Sequence, residues 1–267
     1  MASASAITSP DVLDRRFADL RAAGRRALVV YVTAGHPTLE RSLELLRGLD
    51  DAGADVIEVG VPFSDPMADG AVIQASSQRA LEQGMTLDRT LDLVARARVH
   101  APVVLFSYLN PLLSSRATLL DRAAESGVHG VLVTDLPVGA DPELEAWLGG
   151  GSLAFVRLVA PTTPRERMAE IARHGRGFVY LISRLGVTGE RADVAADLPA
   201  TVSALREATV LPICVGFGIS RPDQAAAVGR LADGVVVGSA VVRAADRDID
   251  AALSLVREMR TSLDQLP

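Results

Sequence analysis

The 267-residue sequence contains no lysine, because all 27 of its basic residues are arginine. Schiff-base aldolases, PLP enzymes and P-loop ATPases each need a lysine amine, so this chain alone can carry none of these chemistries. Cysteine is almost as scarce. The single Cys214 excludes an internal disulfide and a cysteine metal cluster. It lies in the apolar run 211–215, which indicates a buried thiol rather than a nucleophile.

Histidine, positive charge and long apolar runs are also limited. The four histidines (His36, His100, His129 and His174) are scattered, and none has the spacing of a metal-ligand pair. The net charge of −6 argues against a nucleic-acid or anionic-membrane surface. No apolar run is long enough to span a membrane, and residues 1–10 lack the pattern of a signal peptide. We therefore expect a cytoplasmic protein with a flexible tail over 1–10.

What the chain has in quantity is apolar residues, at 49% of the total, in a repeating order. Helical patterns end in glycine or Asp-Gly, and short β-branched runs follow. This alternation of helices and strands predicts one α/β domain over 11–267, built as a single (β/α)8 TIM barrel with an extra N-terminal helix at 11–23. The predicted strands are 27–33, 54–61, 102–108, 128–134, 152–160, 177–183, 212–215 and 234–237.

An open Rossmann sheet is the alternative fold for the same alternation of helices and strands. Gly216-Phe-Gly218 resembles the start of its dinucleotide fingerprint, but the third glycine of G-x-G-x-x-G would fall on Arg221. The helices predicted late in the chain are 194–208, 222–231 and 249–263, and one continuous helix is predicted over 112–126.

Residues 54–70 contain the two carboxyls on which a chemical interpretation rests. Glu58 is the polar residue in the second half of an apolar strand, where its neutral form is favoured unless it is paired. Asp69 follows in a polar loop fixed by Pro62 and Pro66, where it should stay ionised. Two carboxyls in different environments can serve proton transfer. The alternative is structural: Glu58 pairs with a buried arginine and Asp69 caps the next helix.

Glycines after the last two strands predict an anion site. In a barrel, a phosphate commonly binds after strands seven and eight, where backbone N–H groups and helix N-termini face it. Residues 216–220 and the pair Gly238-Ser239 lie there; turn glycines without a ligand are the alternative. Residues 184–190, with two glycines, are long enough to form a lid. Tyr180, before them, either contacts substrate or belongs to the core.

Residues 58–70 read E-x-G-x-P-F-S-D-P-x-A-D-G. With Val32-Thr-Ala-Gly-His-Pro37, Tyr180-Leu-Ile-Ser-Arg-Leu-Gly-Val-Thr-Gly189 and the glycines at 216–220 and 238–239, this pattern resembles the tryptophan synthase alpha chain family over roughly residues 12 to 260. The resemblance implies a carbon–carbon lyase that splits indole-3-glycerol phosphate into indole and glyceraldehyde 3-phosphate. It implies that Glu58 transfers the protons and that Asp69 holds the ring N–H. The substrate and phosphate residues it implies are Tyr180, Thr188, Gly189, Phe217, Gly218, Gly238 and Ser239.

The resemblance also implies a partner, a PLP-bearing beta chain in an alpha2-beta2 heterotetramer, while this chain has no cofactor or metal of its own. The implied contacts are Asp65, Tyr108, Asn110 and Pro137. The same motifs would serve a free-standing indole-3-glycerol phosphate lyase, which is the alternative function. A barrel kept as an allosteric binding subunit and a phosphosugar isomerase are more distant rivals. The chain departs from the family at His36, where an acidic residue is common, and at Leu109 and 114–117.

Overall fold

Eight parallel strands pair in chain order, and the eighth pairs with the first to close a barrel. The structure is a computed structural model, and it describes residues 12–183, 197–216 and 218–267. The predicted TIM barrel is confirmed, and the open sheet is excluded by the β1–β8 pairing. The strands are β1 Ala27–Thr33, β2 Val56–Gly60, β3 Val103–Ser107, β4 Val128–Val133, β5 Ala154–Val159, β6 Val179–Ile182, β7 Ile213–Gly216 and β8 Gly234–Val237.

Helices surround the strands because their apolar faces cover the outward-pointing strand residues. Within the described residues they are α1 Val12–Ala22, α2 Leu39–Ala52, α3 Ala71–Glu82, α4 Leu87–Ala97, α5 Leu109–Leu113, α6 Leu119–Glu125, α7 Pro142–Gly150, α8 Arg165–Arg173, α9 Leu198–Ala208, α10 Pro222–Gly229, α11 Ser239–Arg247 and α12 Ile249–Asp264. In the part of the chain that the structure describes, no helix has the length and apolar character needed to cross a membrane.

The extra N-terminal helix closes the barrel at the amino ends of the strands. The rings of Phe17 on α1 and Phe178, just before β6, lie 5.4 Å apart, and Leu13 is fully buried. Asp55, directly before β2, fixes this end further. Its carboxylate accepts hydrogen bonds from Arg16 of α1 at 3.0 Å, from Arg260 of α12 at 2.8 Å and from the Leu28 backbone N–H at 2.8 Å. The carboxyl ends of the strands are left as the open end.

Two helix predictions were wrong. The continuous helix over 112–126 is two helices, α5 and α6, separated by a serine-rich turn. Ser114 Oγ donates to the Pro111 carbonyl at 2.9 Å, and hydroxyls that bond nearby carbonyls compete with the helical backbone. The second error is an omission. Residues 239–247 form α11, which was not among the helices predicted from the pattern.

Candidate active site

Glu58 lies inside the barrel, on the middle residue of β2, and none of its surface is exposed. In the sheet it pairs with Tyr31 of β1 and Val104 of β3. Apolar side chains, among them Val29, Val56 and Val236, fill the barrel interior. Because side chains alternate along a strand, Glu58 points to the same interior as Val56. The carboxyl is therefore held in an apolar setting by the strand itself.

Neither carboxyl oxygen of Glu58 has a hydrogen-bond partner among the residues that the structure describes. Burial raises its pKa from 4.5 to about 8, so the group is mainly neutral at pH 7. The expectation that its environment favours the neutral form is thus met. Among the described residues, the two buried arginines pair elsewhere: Arg157 bonds Glu145 at 2.6 Å, and Arg260 bonds Asp55. This part of the chain therefore gives no support to the structural alternative for Glu58.

Asp69 lies half-buried in the loop between β2 and α3. Burial raises its pKa to about 6, and a hydrogen bond donated by the Tyr108 hydroxyl acts in the opposite direction. At pH 7 the carboxyl is therefore ionised by about ten to one. Asp69 does not cap the next helix: the N-cap of α3 is Gly70, which has no side-chain cap. Two carboxyls with opposite protonation states thus occupy this part of the barrel.

Two tyrosines flank the carboxyls. Burial raises the pKa of Tyr31, and the negative charges of Asp69 and Glu58 raise it further. Burial also raises the pKa of Tyr180, and Glu58 is the charge that adds most to that rise. Glycines make room for both phenols, because a methyl group at Gly60 would overlap the Tyr31 hydroxyl and one at Gly216 the Tyr180 hydroxyl. Tyr180 therefore borders the site rather than lying in a remote core.

The start of α11 offers the clearer of the two anion positions. Gly238 is its N-cap and supplies no side-chain hydrogen bond, so the first-turn N–H groups after it have no capping side chain. At α10 the situation differs: Gln224 Oε1 accepts from the backbone N–H groups of Ser220 at 2.9 Å and Arg221 at 3.2 Å. Gly218 has φ +84°, a backbone conformation that suits glycine.

Three predicted phosphate residues, Thr188, Gly189 and Phe217, lie outside the described residues, as does the predicted lid over 184–190. Ser239, by contrast, is the first residue of α11 and is half-buried. The phosphate-binding roles of these four residues stay predictions.

The predicted partner contacts follow three neighbouring strands. Asp65, Asn110 and Pro137 come after β2, β3 and β4, and all three are exposed. Tyr108 differs from them, since it is only 4% exposed and its ring packs on Phe63 with centroids 5.1 Å apart. Its prediction as a partner contact stays untested.

Among the described residues no group of three or more His, Cys, Asp and Glu side chains is arranged to hold a metal. A cleft of about 460 Å³ opens between α7 and α8 on the outside of the barrel, where Glu145 and Arg157 are among its lining residues. Neither Glu58 nor Asp69 lines it, so it is separate from the carboxyl site.

Sequence reasoning missed Tyr31 as a neighbour of the carboxyls and missed the effect of Tyr108 on the pKa of Asp69. Alternation along β1 puts Tyr31 on the same face as Val29, but only the register with Glu58 reveals its position. No pattern near Tyr108 indicates a contact 39 residues back along the chain.

Together, the closed parallel barrel and the two carboxyls in its open half define a class, a TIM-barrel protein with a candidate active site toward the end where that fold commonly carries its chemistry.

Comparison with known proteins gives the family. The family model described as "Tryptophan synthase alpha chain" matches residues 17–266. The chain is 49% identical over 237 residues to the tryptophan synthase alpha chain of Caulobacter vibrioides, covering 87% of this chain and 86% of that one. It is 46% identical over 253 residues to that of Geobacter sulfurreducens, covering 94% and 95%.

Solved structures agree with the sequence relatives. Tryptophan synthase subunit alpha from Legionella pneumophila superposes with a TM-score of 0.87 at 33% identity, covering 97% of this chain and 100% of that one. A chain of Mycobacterium tuberculosis tryptophan synthase gives 0.88 at 32% identity, with the same coverage. The chain belongs to the tryptophan synthase alpha chain family. Its reaction is the lyase reaction of that subunit, the cleavage of indole-3-glycerol phosphate in tryptophan biosynthesis.

Proposed function

We propose that Glu58 and Asp69 carry out this cleavage as a neutral acid and an ionised carboxylate. The observation that supports the proposal most is the burial of Glu58, which raises its pKa to about 8 and leaves it without a hydrogen-bond partner in the described part of the chain. A carboxylic acid that is neutral at pH 7 and has no bond to these residues is available to a ligand that enters the barrel.

The protons balance in two steps. Glu58 first donates its proton to the indole ring carbon that bears the side chain, which leaves positive charge on the ring nitrogen and a carboxylate at Glu58. That carboxylate then removes the proton from the side-chain hydroxyl. The carbon–carbon bond breaks as the aldehyde forms, and its electron pair returns to the ring. Glu58 ends neutral, so its burial imposes no need for proton exchange with solvent during the turnover.

Asp69 would balance the positive ring. With a pKa of about 6 it is ionised at pH 7, and a carboxylate can accept the ring N–H as charge develops on the nitrogen. Partial burial strengthens this interaction, since it acts at lower effective dielectric than in water. The products would be free indole and glyceraldehyde 3-phosphate, with no cofactor taking part.

The phosphate of the substrate would bind at the start of α11. Its N–H groups and dipole favour an anion at Gly238 and Ser239, and Gly218 is close along the barrel rim, because β7 and β8 are paired neighbours. We extend the site to Gly189, Thr188 and Phe217 on the family pattern alone. Tyr180 would contact the indole side of the substrate.

A PLP-bearing beta chain in an alpha2-beta2 heterotetramer is the proposed partner. The loops after β2, β3 and β4 adjoin one another because these strands pair in order. They expose the polar groups of Asp65 and Asn110 beside the side chains of Met67, 80% exposed, and Leu113, 39% exposed. Apolar side chains amid polar ones at a rim are typical of a protein contact. Indole is small and apolar, so transfer within a complex would prevent its loss.

Single substitutions test the roles of the two carboxyls. Glu58→Gln and Asp69→Asn should each reduce indole release by about 10²–10⁴-fold, with unchanged secondary structure by circular dichroism. Asp92→Asn, an exposed carboxyl on α4, is the control and should keep the parent rate. Wild-type turnover in either site variant would refute its role. If the chain alone releases indole rapidly and an added beta chain does not change that rate, the protein is instead the free-standing lyase.

A further inference from the structure

The cleft of about 460 Å³ between α7 and α8 lies over the outward face of β5. Ala154 and Val156 of this strand point into the barrel, so Phe155 and Arg157 point outward, and both line the cleft. Outward strand positions in this fold normally hold apolar side chains that the helices cover. The volume of the cleft lies within the range of small-molecule sites, about 300–1,000 Å³. An arginine in such a cleft therefore requires an explanation.

The floor of the cleft is a buried ion pair. Arg157 is 4% exposed and Glu145 of α7 is 8% exposed, and Nη2 of the arginine lies 2.6 Å from the carboxylate. The guanidinium also lies over the ring of Phe155, 3.7 Å from its centroid. A buried ion pair is often no more stabilising than apolar side chains of similar volume. Stability alone thus does not account for a charged pair at a position where the fold favours apolar residues.

The floor has hydrogen-bond donors in surplus. A guanidinium has five N–H groups. Three of those of Arg157 are used: Nε donates to the His174 carbonyl at 3.2 Å, Nη1 to the Leu136 carbonyl at 3.2 Å and Nη2 to Glu145. Within the described residues, one N–H on each terminal nitrogen is therefore left over. Glu145 has no matching surplus, because its second oxygen accepts the Gly139 N–H at 2.6 Å.

The rim of the cleft adds positive charge. Arg173, near the end of α8, is exposed and lines the cleft, and no carboxylate in ranges 12–183, 197–216 and 218–267 pairs with it. Arg176 also lines the cleft and bonds backbone carbonyls rather than a carboxylate. The acidic group at the rim, Glu170, is balanced from outside the cleft by Arg167 at 2.6 Å. With the floor pair neutral, the lining carries a net positive charge and favours an anion.

We propose that the cleft between α7 and α8 binds a small organic acid, whose carboxylate takes the two spare N–H groups of Arg157 and the side chain of Arg173. Guanidinium groups match the two oxygens of a carboxylate, and these charge-assisted bonds are stronger than neutral ones. The apolar part of the ligand, one or two rings, packs on Phe155, Val138 and Pro142, which line the same cleft.

Benzoate and its neutral isostere benzamide test the site on the full chain. Benzoate should shift the methyl NMR signals of Val138 and Ala146, two lining residues, in a saturable way. Benzamide has the same shape without the charge, so it should bind about tenfold more weakly. Arg173→Gln should weaken benzoate by about tenfold as well. Arg165→Gln is the matched control: it makes the same change on α8, at a residue that bonds Glu207 outside the cleft, and should leave the affinity unchanged.

A second variant fills the space and leaves the charges alone. A methyl group at Gly149 of α7 would meet only Phe155, at 3.8 Å, so Gly149→Leu extends into the cleft without a clash at its first carbon. It should abolish benzoate binding with an unchanged circular dichroism spectrum. Arg157 itself is kept, because its loss would leave Glu145 buried without its ion-pair partner. The absence of a saturable shift, equal affinity for benzoate and benzamide, or benzoate binding that neither Arg173→Gln nor Gly149→Leu weakens would each overturn the inference. None of these results changes the proposed roles of Glu58 and Asp69, which do not line the cleft.

Discussion

Replacing Glu58 by glutamine is expected to stabilise the fold while it removes the chemistry. In the folded chain the pKa of Glu58 is about 8, and its ordinary value is 4.5. Between these values the folded state keeps a proton that the unfolded state has released. The free energy of unfolding therefore falls by about 1.4 kcal/mol for each pH unit from 4.5 to 8, so the stability present below pH 4.5 is lost as pH rises through this window.

The size of the effect follows from that slope. At pH 7 the cost of keeping Glu58 neutral is roughly 3 kcal/mol, and above pH 8 it levels off near about 5 kcal/mol. Glutamine has nearly the same shape and no proton to lose. Neither carboxyl oxygen of Glu58 bonds to a residue in the ranges 12–183, 197–216 and 218–267, so the substitution breaks no hydrogen bond there. A buried amide without partners adds a cost of its own, about 1–3 kcal/mol, but that cost is the same at every pH.

Urea unfolding of the wild type and Glu58→Gln at pH 5, 7 and 8.5 measures this directly. The stability difference should move in favour of the variant by roughly 2.5 kcal/mol between pH 5 and pH 7. Glu145→Gln is the control, since Glu145 is also buried, at 8% exposed, but bonds Arg157 at 2.6 Å. That variant leaves a buried arginine unpaired and should be destabilised by about 3–5 kcal/mol. A stability difference for Glu58→Gln that does not change with pH would refute the reasoning.

Three further outcomes follow from the site. The pH profile of kcat/KM for indole release should be bell-shaped, with limbs near pH 6 from Asp69 and near pH 8 from Glu58; a profile flat from pH 5 to 9 would contradict both assignments. Gly238→Val should weaken inorganic phosphate binding, measured by calorimetry, by roughly tenfold, and equal affinity in the variant would move the site elsewhere. Asp65→Ala should blunt the activation of indole release by an added beta chain and leave the solitary rate nearly unchanged; normal activation would remove Asp65 from the contact.

The barrel was predictable because its evidence is local and repeated. Strands β1 and β8 have the predicted bounds, and Thr38 caps α2 as a threonine before a helix commonly does, accepting from the Arg41 N–H at 3.3 Å. The split between α5 and α6 was missed because serine hydroxyls, rather than the apolar spacing, decide where that helix stops. α11 was missed because it begins directly after β8 and has no capping side chain, so the usual sequence signal for a helix start is missing.

The carboxyl pair was predictable in part. Glu58 in an apolar strand implies a neutral acid, because burial alone raises its pKa. The environment of Asp69 was only half predicted. A polar loop suggested an ordinary ionised group, whereas partial burial raises its pKa to about 6, and Tyr108, between β3 and α5, opposes the rise. Contacts between neighbouring strands depend on register, which the amino-acid pattern of one strand does not contain.

The most direct test of the account is the protonation state of the two carboxyls at pH 7. Infrared difference spectra between the wild type and Glu58→Gln, and between the wild type and Asp69→Asn, isolate each group from the other acidic residues. At pH 7 the Glu58 difference should contain the carbonyl band of a protonated acid, which disappears near pH 8, and the Asp69 difference should contain carboxylate bands that give way to an acid near pH 6. An ionised Glu58 at pH 7 would contradict the account, because the group proposed to donate the first proton would have none to give.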